Sequence, residues 1–138
     1  MIEIEEELLD AYAEELSIAS IGFEMMGKLL NVKYIKERIK LLNITEMYIY
    51  GGGYLGIQLY YATSKLVYVP AVIDRENELS IKTLDIPVMG IEELKRIYKE
   101  EKIIIASLKF YREIQKDLSN FVPQNQIMFL GEFLGGIV

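Results

Sequence analysis

The sequence of 138 residues contains no cysteine, no histidine and no tryptophan. Without cysteine the chain can form no disulfide and has no thiol nucleophile, and the zinc sites that use cysteine and histidine are excluded. Catalysis by Ser-His-Asp or Cys-His arrangements is excluded as well. A general base would have to be a carboxylate, a lysine or a tyrosine with a shifted pKa. The sequence singles out no such residue, so no catalytic residue and no metal site are predicted.

Basic residues are also scarce, with 15 lysines and arginines against 21 acids and a net charge of −6. This balance gives no broad basic surface for nucleic acid. The first twenty residues hold seven acids and no base, which is unlike a signal or transit peptide. No apolar run approaches the ~20 residues of a membrane span. We therefore expect a cytoplasmic protein with no membrane span and no nucleic-acid partner.

What is present is a globular composition, with 51% hydrophobic and 26% charged residues. The chain divides by pattern into an N-terminal helical segment, 1–43, and an alternating strand and helix region, 44–138. The second region is long enough for only one nucleotide-binding half of a doubly wound fold. Little room is left for a separate substrate domain.

The segment 1–43 has helical periodicity. Apolar residues recur every four positions from Ile4 to Leu16, and a second stripe runs from Met25 to Leu42. Asn43 is predicted to end the second helix. The first stripe lies among acids and the second among bases. Two arrangements fit: helices that cover an apolar face of the following domain, or an antiparallel hairpin that also pairs with a second subunit as a homodimer.

The stretch Ser17-Ile-Ala-Ser-Ile-Gly22, between the two stripes, interrupts the helical pattern and allows two interpretations. Ser17 or Ser20 could cap a second helix, or a single bent helix could run through.

From residue 46 onward the pattern alternates between strand and helix. Strands are predicted at 47–50, 66–73, 102–106 and 126–130, with a short edge-like extension at 84–89 and helices at 54–63, 91–100 and 110–120. Such alternation is typical of right-handed βαβ units around a parallel sheet. The predicted fold class is therefore α/β, a Rossmann-like sheet of about four strands flanked by helices and preceded by the helical segment.

One motif in this region has a chemical role. Gly51-Gly52-Gly53-Tyr54-Leu55-Gly56 matches G-x-G-x-x-G, directly after a predicted strand and at the start of a predicted helix. Gly51 would allow the turn out of the strand, Gly53 would leave the backbone open to a pyrophosphate, and Gly56 would let the helix pack closely on the strand. The helix N-terminus offers N–H donors to an anion. The motif predicts a phosphate site for NAD(H) or a nucleotide-sugar, and an empty tight turn is the alternative.

Three further residues could complete such a site. Asp74 follows the next predicted strand at the distance expected of an acid that accepts hydrogen bonds from a ribose. Its charge favours NAD(H) over NADP(H), although Arg75 beside it could accept a 2′-phosphate. Ser107 follows the third strand, where it could face a ligand or cap the next helix.

The region from Met47 to about Leu130 resembles the half-Rossmann domain of bacterial polysaccharide-biosynthesis proteins. That domain occurs in sugar-nucleotide dehydratases and epimerases and at the N-terminus of sugar acyltransferases. The resemblance rests on YIYGGGYLGIQLY (48–60), AVID (71–74), LDIPVMGIEEL (84–94) and IIIASLKFYREI (103–114). It implies that the glycines line a phosphate site and that Asp74 meets the ribose or the sugar-nucleotide.

The sequence also departs from the family pattern. Asp85 stands where the family usually has glycine, and the linker before the second strand is longer than usual. No acyltransferase repeat or dehydratase catalytic segment follows in the sequence, so the catalytic residues of those enzymes have no counterpart here. The expected function is a nucleotide-binding module linked to polysaccharide or sugar-nucleotide metabolism, with any chemistry supplied by a catalytic partner chain. The alternatives are an interaction domain that has lost its ligand, or an oxidoreductase or epimerase fragment.

Overall fold

The computed structural model describes residues 2–51, 53–74 and 85–136. The helices are α1 (Ile2–Leu29), α2 (Val32–Leu42), α3 (Tyr54–Thr63), α4 (Ile91–Ile97), α5 (Tyr111–Leu118) and α6 (Leu130–Phe133), with a 3₁₀ turn at Gln124–Gln126. The strands are β1 (Met47–Tyr50), β2 (Val72–Ile73), β3 (Val88–Met89), β4 (Lys102–Ile105) and β5 (Ile127–Phe129).

The strands form one parallel sheet in the order β3-β2-β1-β4-β5. Ile49 of β1 lies opposite Val72 of β2 on one side and opposite Ile104 of β4 on the other. The order reverses direction between β1 and β4, as it does between the two halves of a doubly wound fold. The predicted α/β, Rossmann-like class is confirmed. The described residues give five strands instead of about four, because the edge-like extension pairs with β2 as β3.

The sheet is buried on both faces, which explains its continuous apolar strands. Alternate residues of β1 point to opposite sides. Met47 and Ile49 join the core beneath α1, α2 and α3, and Tyr48 and Tyr50 join the core beneath α4 and α5. The result is a three-layer arrangement that holds the strand ends at fixed positions.

Helix α1 runs without interruption through residues 17–22, so a single helix runs through, and the alternative in which Ser17 or Ser20 caps a second helix is wrong. Both serines are exposed, and water can satisfy their hydroxyls in mid-helix. The second helix instead begins after Asn31, whose side chain accepts a hydrogen bond from the backbone N–H of Tyr34. It ends as predicted at Asn43, which adopts the left-handed conformation with φ 54°.

The helical segment covers an apolar face of the sheet domain, which is the first of the two predicted arrangements. Met25, Leu29, Ile35 and Ile39 are buried in the same core cluster as β1 and α3. Residues 5–17 of α1, in contrast, are all exposed. The first half of α1 therefore extends beyond the core that its second half helps to form.

The short helix α6 has no counterpart in the predicted elements, which continue the last strand to residue 130. Its carboxyl end is held by the helical segment. Tyr34 donates its hydroxyl hydrogen to the carbonyl of Leu134 at 2.6 Å, and the Arg38 guanidinium donates to the carbonyl of Phe133 at 2.8 Å. These donors satisfy carbonyls that a helix end leaves without partners.

The second strand is much shorter than the predicted 66–73. Only Val72 and Ile73 form β2, and Tyr68 makes a single bridge to Glu46. Pro70 lies between the two, where it lacks the N–H that a continuous ladder needs. Across the described ranges, none of the helices combines the length and apolarity needed to cross a membrane.

Candidate functional site

The carboxyl ends of β1, β2 and β4 open into a cavity of about 500 Å³. It lies where the strand order reverses, which is the usual ligand position in open α/β sheets. Its volume falls within the range of small-molecule sites, roughly 300–1,000 Å³. The predicted residues that line it are Gly51, Gly53, Tyr54, Leu55, Asp74 and Ser107. The structure therefore brings most of the predicted site together.

Two glycines of the motif are required by the fold itself. Gly51 has φ +133°, which favours glycine, and its N–H donates to the carbonyl of Ile73 at 2.9 Å. A Cβ on Gly56 would lie 1.7 Å from the carbonyl oxygen of Gly51, so α3 could not approach β1 with any side chain there. Gly56 does not line the cavity; it brings the helix N-terminus to it. Gly52 lies outside the described residues.

Gly53 is different, because neither the backbone nor the packing requires a glycine there. It is the N-cap residue of α3 with φ −78°, and a Cβ would meet nothing within 4 Å. The open space beside it is the cavity, in front of the first turn of α3. A helix N-terminus presents N–H groups without intrahelical partners. This arrangement is the one expected if the position is kept clear for an anionic ligand.

Asp74 lies at the end of β2 as predicted. Its backbone N–H donates to the carbonyl of Met89 at 3.0 Å, and the residue is only 8% exposed while it lines the cavity. A carboxylate at this place is suited to accept hydrogen bonds from a ribose. Arg75, which could accept a 2′-phosphate, lies outside the described residues.

Ser107 both lines the cavity and shapes the turn after β4. Its Oγ accepts a hydrogen bond from the backbone N–H of Phe110 at 3.1 Å, just before α5 begins. The N-cap of α5 is Phe110 and has no side-chain cap bond, so the alternative in which Ser107 caps this helix is wrong; the serine closes the turn before it. Lys109 follows it on the cavity wall and forms an exposed ion pair with Glu15 of α1 at 3.6 Å.

Helix α1 supplies a wall of the cavity that the motif does not predict. Ile18 faces the cavity, and the Tyr54 hydroxyl lies so close to Gly22 that a Cβ on Gly22 would be 2.3 Å away. Together with the ion pair from Glu15 to Lys109, these contacts place α1 across the mouth of the site. No signal in the sequence links residue 18 to this edge, because the helical segment precedes the motif.

Two other residues of the cavity wall were not predicted, although the sequence contains a signal for them. Leu108 and Phe110 follow β4 in the same turn as Ser107, so the rule that selected Ser107 applies to them too. They make this side of the cavity apolar. Phe110 is 49% exposed and offers a flat surface on which a base or a sugar could stack.

A second pocket, about 740 Å³, lies at the opposite edge of the sheet beside the amino ends of β1 and β4. It contains the Glu101 carboxylate, which accepts hydrogen bonds from the backbone N–H groups of Lys99 and Glu100 at 2.9 and 2.8 Å. Burial raises the pKa of Glu101, but these bonds and one from the Tyr48 hydroxyl outweigh it, and the pKa lies below its usual value. Burial and the charge of Glu101 raise the pKa of Tyr48 to about 12.

The hydrogen bonds in this second pocket join residues of the chain to one another and stabilise this edge of the sheet. Ligands of open α/β sheets bind at the other edge. Within the described ranges, no three acidic side chains gather where they could hold a metal ion.

Comparison with known proteins gave no further assignment: no family model, no curated protein and no solved structure matched the chain. The resemblance to the half-Rossmann domain of polysaccharide-biosynthesis proteins stays a prediction from the sequence.

Proposed function

We propose that this protein binds a nucleotide-bearing ligand, NAD(H) or a nucleotide-sugar, in the cavity at the carboxyl ends of β1, β2 and β4. The pyrophosphate would lie beside Gly53 at the N-terminus of α3, and the ribose would lie beside Asp74. The apolar turn at Leu108 and Phe110 would contact the base or the sugar. The dinucleotide and the nucleotide-sugar share the pyrophosphate and ribose chemistry that these residues suit.

The glycine at position 53 carries this proposal. Its φ of −78° is accessible to any residue, and a side chain there would meet no protein atom within 4 Å. A side chain would, however, occupy the space in front of the helix N-terminus, which is where a pyrophosphate would lie. The other two described glycines of the motif are required by the backbone and by packing. A glycine at 53 is a favoured helix N-cap, and it also leaves the space in front of the helix open to a ligand.

The test is a titration with NAD, NADH, UDP-sugars and CDP-sugars by calorimetry. We expect one of these classes to bind with a Kd in the micromolar range. Gly53→Val is expected to weaken that binding at least about tenfold, since the side chain would displace the pyrophosphate. Gly90→Val is the matched control, because Gly90 is also an N-cap glycine of extended conformation with open space around it.

The two variants separate loss of ligand from loss of folding. A valine at either position costs similar helix-capping energy, but Gly90 lies outside the cavity. Equal affinities for the two variants would contradict the assignment of Gly53. No heat with any of the four ligand classes would contradict the proposal itself and would favour the interaction domain. Mass spectrometry of the supernatant released by heating the purified protein would identify a ligand that is already bound.

The proposal extends to the setting of this activity. The resemblance supports a role in polysaccharide or sugar-nucleotide metabolism, in the cytoplasm, where nucleotide-sugars are made. We assign ligand binding to this chain and expect a catalytic partner chain to act on the bound ligand, with no catalytic residue of its own. The discriminating assay is hydride transfer or epimerisation by the purified protein with the sugar-nucleotides that bind. Turnover by the chain alone would contradict this assignment and support an oxidoreductase or epimerase.

A further inference from the structure

Helix α1 has an apolar stripe that no described part of the chain covers. The stripe includes Leu9, Tyr12, Leu16 and Phe23, with 66%, 65%, 53% and 81% of their surface accessible. Leu30, directly after the helix, is 65% exposed. These residues lie away from the helix face that Met25 and Leu29 bury against the core. Scattered apolar residues are normal on a surface, but a continuous row along one helix marks an interaction site.

The spacing of these residues is that of a coiled-coil seam. Leu9, Tyr12, Leu16, Ala19, Phe23, Met26 and Leu30 are separated by three and four residues in strict alternation. All are exposed except Met26, which is half-buried against the core. No charged residue occupies any of these seven positions. We refer to them as the α1 seam.

The exposed half of α1 also needs a partner for physical reasons. Residues 5–17 have no buried position, so this part of the helix gains nothing from the core of its own chain. Isolated helices shorter than about 12–15 residues are marginal in water. Its acids add mutual repulsion, since residues 2–16 hold seven of them and no base. A partner that covers the α1 seam would supply the missing packing.

We propose that the α1 seam pairs with the same seam of a second copy of this chain, with the two helices antiparallel. The charges of the chain favour a second copy as the partner, and they favour the antiparallel direction of the two helices. All seven charged residues of 2–16 are acids, whereas residues 24–40 contain five bases and two acids. Three of these bases, Lys33, Lys36 and Lys40, are exposed on α2, and the other two donate to carbonyls at the end of α6. An antiparallel pair brings the acidic end of each copy toward the basic end of the other. A parallel pair would place acid beside acid, which is unfavourable.

The pairing is a closed two-fold contact in which each copy offers the same surface. Its axis would pass near Ala19 and Ser20, the midpoint between Leu9 and Leu30. Small residues at this midpoint allow the helices to approach, and Leu16 of one copy would lie near Phe23 of the other. This inference goes beyond the nucleotide site and does not depend on it, so either can fail without the other.

The first test measures the association of the full chain by sedimentation equilibrium. We expect a dimer in the wild type and a rise of at least about tenfold in the dimer Kd for Leu16→Glu, because a charge would enter the apolar seam. Leu41→Glu is the matched control, since Leu41 is 73% exposed on α2 and is not part of the seam. Both substitutions are at exposed positions and should leave the fold intact, which circular dichroism checks.

The second test measures the direction of the pair, and the absence of native cysteine makes it simple. A single Asp10→Cys variant, at an exposed position of α1 outside the seam, is spin-labelled, and the distance between labels is measured by pulsed electron–electron double resonance. Antiparallel pairing about the midpoint places the two labels about 28 Å apart along the helices. Parallel pairing would place them at the same level, roughly 10–20 Å apart across the two helices.

Three results would overturn the proposal. A wild-type monomer at all concentrations would show that the α1 seam does not bind a second copy and would leave it to a different partner. Equal dissociation constants for Leu16→Glu and the wild type would place the dimer contact elsewhere. A short distance between labels at position 10 would show a parallel pair and contradict the charge argument.

Discussion

The three described glycines of the motif show how one residue type serves different physical purposes. Gly51 provides a positive φ, Gly56 allows close packing, and Gly53 keeps a surface clear. Gly56→Ala is expected to lower the free energy of unfolding by at least about 2 kcal/mol, because its Cβ would meet a backbone oxygen that cannot rotate away. The measurement is urea denaturation.

Gly27 offers the control for this prediction. It lies within α1, where a Cβ would meet nothing within 4 Å. Gly27→Ala is expected to raise the free energy of unfolding by about 0.5–1 kcal/mol, since glycine is unfavourable inside a helix. Equal effects of the two alanines would contradict the packing role of Gly56.

Glu101 links stability to pH at the opposite edge of the sheet. The pKa of Glu101 is lower in the folded protein than its ordinary value of 4.5, because the hydrogen bonds to its carboxylate outweigh the effect of burial. A lowered folded-state pKa stabilises the fold above the unfolded-state pKa, and this contribution is lost as the pH falls through the folded-state pKa.

We therefore expect Glu101→Gln to lower the free energy of unfolding at pH 7, by less than about 1 kcal/mol because the group is largely solvated. The difference from the wild type should begin to shrink as the pH falls below the ordinary glutamate pKa of 4.5, and it should vanish below the lower folded-state pKa. Urea denaturation in a series of pH values from 7 downward tests this. A difference that stays constant across the series would show that the carboxylate charge contributes nothing.

At the scale of elements, the start of α2 depends on one side chain. Asn31 accepts a hydrogen bond from the backbone N–H of Tyr34 at 3.1 Å and so caps the helix. Asn31→Ala is expected to cost about 1 kcal/mol of stability, whereas Asn31→Asp should retain it because aspartate caps equally well. Thermal unfolding of the two variants beside the wild type measures the difference. Equal loss in both would show that Asn31 has another role.

The elements with strong periodicity could be predicted from the sequence, and their ends often could not. The strand at 47–50 and the helix at 54–63 coincide with β1 and α3, because the glycine turn separates them sharply. The end of the last strand was missed because residues 127–130 are all apolar, and nothing in such a run marks where strand becomes helix.

Asp85, which departs from the family pattern, lies at a turn in the structure. Asp85 has φ 60°, a left-handed conformation that glycine adopts freely and aspartate tolerates. The position where the resembled family usually has glycine is thus one where the backbone suits glycine. The sequence alone could identify this substitution as a turn position but could not give its dihedral angle.

The candidate site was predictable where it follows from the βαβ rule and unpredictable where it depends on long-range packing. The strand ends place Gly51, Gly53, Asp74 and Ser107 on one cavity. Ile18 lies at the same cavity because α1 packs across this edge of the sheet. Met25 and Leu29 of α1 are buried in the core and hold the helix there. Such contacts between distant segments leave no local pattern in the sequence.

On the scale of the whole molecule, α1 connects the two proposed surfaces. One side of the helix forms a wall of the cavity through Ile18, and another side presents the α1 seam. A rigid helix that is ordered by one contact is already positioned for the other. The nucleotide site and the dimer contact are therefore expected to be coupled, and such a coupling of binding free energies must be reciprocal.

This coupling gives a prediction that rests on both proposals. Ligand affinity measured at protein concentrations well above the dimer Kd should be about fivefold tighter than at concentrations well below it. Saturating ligand should tighten the dimer by the square of that factor, about 25-fold, because each dimer holds two ligand sites. Leu16→Glu should show the weaker ligand affinity at all concentrations, and Leu41→Glu should follow the wild type. Calorimetry measures the change in the ligand Kd, and sedimentation equilibrium measures the change in the dimer Kd. Ligand affinity that does not change with protein concentration would show that the exposed half of α1 orders the cavity wall without a partner.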